Sequence, residues 1–215
     1  TSHRGAVPGT EREGLDLRII DLGNLAGAYA ARLLAESGHD VIRIEPSNGD
    51  AVRRTGPFLG ERPDLEQGAF HHFLNAGKRS VSLDLGSGMG WQLFLELMRT
   101  ADAVVTSRRL STDDGTTNAE LVWTDVEEEA NELCAYARSG LLSLTGQRNG
   151  RPTLLGGHMI YLATGIQAAI ATAAALHPPR RDESALHVWP RQHEPASLPQ
   201  SFNGERGRQC PTLFF

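Results

Sequence analysis

Two basic pairs, Lys78-Arg79 and Arg108-Arg109, are the groups of this 215-residue sequence best suited to meet phosphate. Ammonium and guanidinium groups bind phosphate oxygens through charge-assisted hydrogen bonds, and a helix entry adds free backbone N–H donors. A glycine-bearing entry of that kind runs Gly23-Asn24-Leu25-Ala26-Gly27. The same lysine and arginines also read as ordinary surface charges. Proton-transfer candidates are fewer: Glu132, and His158 shortly before Tyr161. Histidine can act as a base near neutral pH, although a single His beside an apolar helix is more often structural. Cys134 and Cys210 lie far apart, with neither zinc spacing nor a disulfide framework. No metal is expected, and a reducing, cytoplasmic setting fits.

The elements that must position these groups begin with an apolar strand, Leu17 to Leu22. A helix starting near Leu25 and stopping near Ser37-Gly38 follows, then a strand, Asp40 to Ile44. Strand, helix and strand make a right-handed βαβ unit, which points to a nucleotide-like ligand. Residues 47–68 have loop composition, and Ala69 to Leu74 predicts a short helix. Val81, Leu83 and Leu85 alternate with Ser82 and Asp84, predicting a strand over 81–85. A helix over 91–100 and buried strands over 103–106 and 121–123 come next, separated by a polar loop at 107–120. The acidic run 125–129 reads as a solvated helix face. Helices are predicted over 130–144 and 161–176, with a turn at 146–150.

Met159 to Leu176 is uncharged, but alanine dominates it, so a helix buried within the protein is expected rather than a membrane span. Residues 1–14 read as a disordered leader without a signal-peptide core, and 179–215 as an irregular proline-rich tail. One α/β domain over 15–178 remains. The net charge of −5 argues against nucleic acid as a partner, so a polyanionic ligand must be held by local cations.

A nicotinamide-dependent oxidoreductase is one reading of the βαβ unit, with Glu45 at the end of its second strand as ribose ligand. That site requires G-x-G-x-x-G at the first turn, and here only Gly23 and Gly27 are present, at the wrong spacing. It is the lesser alternative.

Four stretches in order carry a resemblance: residues 21–50, 74–85, the region around Ala101-Asp102, and 138–157. Together they resemble the class III CoA-transferases, the family of formyl-CoA and carnitine CoA transferases and alpha-methylacyl-CoA racemases. The resemblance spans about residues 15–178. It implies a Rossmann-like parallel sheet flanked by helices, the N-terminal part of that fold. It implies CoA or acyl-CoA as ligand, and transfer of CoA between carboxylic acids as the family activity. Residue by residue, it points to Leu25 and Ala26 near the thioester. Leu83, Asp84 and Leu85 would lie near the nucleotide, with Lys78 and Arg79 as neighbouring basic groups. Arg108 and Arg109 stand where the family usually carries an acidic-Asn-Phe sequence.

Transferases of this family use an aspartate nucleophile. Counting fifteen residues on from Gly146, or four back from Gly165, reaches Tyr161. A phenol, with a pKa near ~10, does not replace a carboxylate in acyl-anhydride chemistry. In the racemase branch the histidine would fall at Asn131, followed by Glu132, and the aspartate again at Tyr161. The acidic run 125–129 stands where the family has a glycine-rich loop. Family enzymes are longer than this chain and form interlocked dimers. The expected partners are therefore CoA or acyl-CoA, and a second copy or a family partner chain. A catalytically degenerate partner subunit is the main alternative to an active enzyme.

Overall fold

The computed structural model describes residues 17–107, 121–126, 131–146, 150–177, 186–189 and 212–214. Its order of elements is β1 (Arg18–Leu22), α1 (Leu25–Glu36), β2 (Asp40–Glu45), α2 (Ala69–Asn75), β3 (Arg79–Ser82), α3 (Gly88–Met98) and β4 (Ala103–Thr106). There follow β5 (Val122–Asp125), α4 (Glu132–Arg138), α5 (Met159–Leu176), β6 (Leu186–Trp189) and β7 (Thr212–Phe214).

All strands run parallel in one sheet ordered β3-β2-β1-β4-β5-β6-β7. Ile19 of β1 stands between Val41 of β2 and Ala103 of β4. A parallel sheet is buried on both faces, so its strands need apolar residues at successive positions. On one face Ile19, Val41, Val105 and Val122 pack against Ala26, Ala30 and Leu34 of α1 and Ala168 and Ala171 of α5. On the other Ile20, Ile42, Ile44, Val104 and Trp123 meet Phe94 and Met98 of α3. The α/β architecture expected from the sequence is this one, a parallel sheet between helical layers.

The strand order reverses between β1 and β4. Ligands of open parallel sheets bind in the crevice outside the carboxyl ends at such a switch point. The turn from β1 into α1 lies there.

α5 has the length and apolarity of a membrane span, with a mean hydropathy of 1.6. It lies against α1, and the two touch through small residues. A Cβ on Gly165 would come 2.7 Å from the Ala26 carbonyl oxygen and 3.0 Å from Tyr29 Cδ1. Alanine-rich composition is what lets two helices approach so closely.

Several sequence expectations are corrected. β3 begins at Arg79 rather than Val81, although Val81, Leu83 and Leu85 stay half-buried and Ser82 and Asp84 exposed. The alternation outlasts the strand because Leu83 N–H still donates to Glu45 O at 2.9 Å. The helix expected over 130–144 ends at Arg138, since Gly140 takes φ 77° and starts a separate 3-10 turn, Leu141–Ser143. Asp125, read as part of a solvated helix face, closes β5 and is buried. A carboxylate at a strand end carries the same local charge pattern as one on a helix surface, and tertiary position separates the two. Within the stretch read as irregular, β6 and β7 extend the sheet by pairing with β5 and with each other. Each strand satisfies backbone groups that would otherwise form an open edge.

Candidate functional site at the carboxyl edge of the sheet

The β1–α1 turn is fixed from beneath by buried charges. Gly23 N–H donates to Asp21 Oδ1 at 2.9 Å, and Asn24 N–H donates to Ser107 Oγ at 2.9 Å, tying the turn to the end of β4. Only glycine fits at position 23, where a Cβ would lie 2.4 Å from Gly27 Cα. Arg43 on β2 donates to Asp21 Oδ1 at 2.8 Å, to Gly23 O at 2.5 Å and to Asp50. Lys78 Nζ donates to Asp21 Oδ2 at 2.7 Å, Ala28 O at 2.7 Å and Asn75 Oδ1 at 3.1 Å.

Burial alone would raise the Asp21 carboxyl, but Arg43 and Lys78 outweigh it and hold it below the usual carboxylate range. Burial likewise works against the Arg43 charge, and Asp21 and Asp50 reverse that effect. For Lys78 burial prevails and lowers the ammonium pKa despite Asp21. These charges brace the turn.

The positions proposed from sequence separate into groups. Lys78, expected as a cation beside the nucleotide, is an interior residue whose three donors all meet protein acceptors. Arg79 starts β3 and so stands at the amino edge, away from the crevice, where it donates to both Asp40 oxygens at 2.8 and 2.5 Å. Leu83, Asp84 and Leu85 follow β3 at the carboxyl edge. Leu83 and Leu85 lean on the α3 cluster, while exposed Asp84 accepts from Gly86 N–H at 3.0 Å and shapes the turn into α3. Leu25 opens α1, half-buried against the cluster of Ala28, Val52 and Leu74, on which Phe70 and Leu162 also pack. Ala26 is fully buried at the α1–α5 contact. Arg108 and Arg109 lie outside the described residues.

Glu45, the ribose ligand of the oxidoreductase reading, is committed elsewhere. Arg53 donates to it through Nε at 2.6 Å and a terminal nitrogen at 2.9 Å, and Ser80 Oγ donates at 2.8 Å. The Arg53 hydrogen bonds, opposed by burial, lower its carboxyl to about 2.

The first turn of α5 gathers the remaining candidates. Tyr161 is 8% exposed. His158 precedes the helix with φ 58°, a left-handed conformation uncommon outside glycine. Its Nδ1 lies 3.2 Å from Glu132 Oε2, at the start of α4. The His158 ring centroid is 5.3 Å from that of Phe70 and 6.3 Å from that of Tyr161. Glu132 Oε1 is buried without a hydrogen-bond partner. Asn131, the racemase-histidine position, caps α4 by accepting from Leu133 N–H at 2.9 Å. Burial, and then Glu132, raises the neighbouring Tyr136 phenol. The two acid–base candidates, read singly from sequence, thus form one pair. Their separation of 26 residues hid it.

Chemically, the carboxyl edge offers a rigid turn with half-buried leucines. The α5 entry offers an oriented imidazole. Among the described residues no group of three His, Cys, Asp or Glu side chains could hold a metal ion.

Known proteins resemble this chain in sequence and in fold. The sequence profile of CoA-transferase family III matches residues 15–121 and 124–199. The succinyl-CoA:mesaconate CoA-transferase of Haloarcula hispanica is 30% identical over 93% of this chain and 59% of its own length. Subunit BbsE of the succinyl-CoA:(R)-benzylsuccinate CoA-transferase of Thauera aromatica is 32% identical over 76% of this chain and 45% of its own. A crystal structure of a CAIB/BAIF family protein from Brucella suis superimposes with a TM-score of 0.68 at 23% identity, covering 80% of this chain and 50% of that one. The chain therefore spans about half to three-fifths of the length of these relatives. By the extent of the profile match, this chain belongs to CoA-transferase family III.

Proposed function

We propose that this chain binds CoA or an acyl-CoA at the carboxyl edge of its sheet, and that it does not use the position of the family nucleophile to pass CoA between carboxylic acids. Family membership over residues 15–199 supports the ligand class. The observation that carries the second half is Tyr161, a buried phenol at the place where the resemblance puts an aspartate. A phenol has neither the charge nor the leaving ability of a carboxylate in an acyl anhydride.

In this reading Leu25 borders the thioester, and Leu83 and Leu85 give the adenine apolar surface at the crevice. Arg108 and Arg109 are the cations that this reading assigns to the phosphates. Lys78 acts indirectly, by fixing the turn. A reducing, cytoplasmic setting suits the exposed thiol of Cys134.

A second reading, a partner subunit of an active transferase, is favoured by one comparison. The Thauera aromatica relative is itself named as a subunit. A homodimer is the simpler assembly.

An acyl-exchange assay tests the proposal, following labelled succinate into succinyl-CoA with wild type and with Tyr161→Asp. Wild type is expected to show no exchange, and the variant, checked for native circular dichroism, to gain it. Exchange by wild type at the variant's rate would show that another group is the nucleophile.

A further inference from the structure

We propose that His158 and Glu132 form a base and its positioning carboxylate, and that the pair directs water onto the acyl carbon of a bound CoA thioester. This rests on the reading that the chain binds acyl-CoA. The activity is thioester hydrolysis.

Four observations converge on His158. Its Nδ1 faces Glu132 Oε2 at 3.2 Å. A carboxylate only accepts, so Nδ1 donates, and Nε2 keeps the lone pair that takes a proton. The side chain is 41% exposed, so Nε2 is within reach of solvent and substrate. The left-handed backbone at φ 58° is a local strain of a kind that persists where surrounding structure enforces it. Finally, the Phe70 ring lies tilted beside the His158 ring with centroids 5.3 Å apart, and Phe70 and Leu25 pack against the same cluster of Ala28, Val52 and Leu74. Leu25 is the residue expected beside the thioester. The imidazole therefore stands at the acyl end of the site, next to the phenol that replaced the nucleophile.

Glu132 adds a second feature. Its carboxylate is mostly buried, at 22% side-chain exposure, and faces Nδ1, so it holds the ring orientation and favours the charge that the imidazole gains. A base with an orienting carboxylate and a water needs no covalent intermediate. In the reaction, Nε2 takes a proton from water as the oxygen bonds to the thioester carbon. The tetrahedral intermediate collapses with cleavage of the C–S bond. The imidazolium returns its proton to the departing thiolate. The products are the carboxylic acid and free CoA.

The test is thiol release from acetyl-CoA, butyryl-CoA and succinyl-CoA by the full chain, without any acceptor acid, alongside calorimetric titration of CoA. Expected are release well above the buffer rate in wild type and a loss of about 10²-fold or more in His158→Asn, with CoA affinity unchanged. Asparagine tolerates the left-handed backbone, so this variant keeps the local fold. In His158→Gly, added imidazole should restore release, which a purely structural histidine would not allow. Glu132→Gln should lower kcat and leave KM unchanged. CoA binding without release in wild type, or release by His158→Asn at the wild-type rate, would overturn the hydrolytic pair while leaving the ligand reading intact. Absence of both binding and release would overturn both.

Discussion

Lys78 Nζ lies 2.7 Å from Asp21 Oδ2, and the two side chains are 1% and 0% exposed. Asp21 also meets Arg43, so one buried carboxylate serves two cations beneath the turn that enters α1. Removing one member of such a network leaves an uncompensated charge in a medium that solvates it poorly.

Lys78→Met is accordingly expected to destabilise the fold by about 3–5 kcal/mol, measured by urea unfolding. A change below about 1 kcal/mol would mean that Asp21 is satisfied by Arg43 alone.

Glu45 gives a pH dependence of known sign. Its carboxyl falls from 4.5 to about 2 in the folded chain, chiefly through the Arg53 hydrogen bonds. The stabilisation is complete above the unfolded value and disappears as pH falls through the folded one. Glu45→Gln should therefore unfold more easily than wild type at pH 6, by about 2–3 kcal/mol. That gap should narrow between pH 4.5 and pH 2. A gap that stays constant over this window would assign the stabilisation to another group.

Gly165 tests the close contact of α5 with α1. Its Cβ would sit 2.7 Å from Ala26 O, a backbone atom held by the helix. Gly165→Ala should cost about 1–3 kcal/mol despite alanine's better helix propensity, and a lower melting temperature is the readout. An unchanged or higher melting temperature would show that the two helices can move apart freely.

Much of this architecture is legible in the chain itself. The runs at 17–22, 103–106 and 121–123 are apolar enough to mark strands, and Gly38 with φ 99° marks the end of α1. The roles of the charges are not legible. Lys78 and Arg79 are neighbours in sequence, yet one is buried against Asp21 and the other reaches Asp40 at the opposite edge. Basic residues in tandem carry no signal of which edge each will face. Glu132 and His158 illustrate the converse case, since two unremarkable residues become a pair through the packing of α4 beside the entry of α5. β6 is not legible in the sequence because a four-residue strand between prolines has too little pattern to stand out from a tail.

The comparison of CoA with NAD as ligands tests the central claim most directly. Titration of each into the full chain by isothermal calorimetry is expected to give saturable heat with CoA and none with NAD. Glu45 is engaged by Arg53 and Ser80, and the first turn lacks the dinucleotide glycine pattern. Tight NAD binding with no CoA binding would contradict the account.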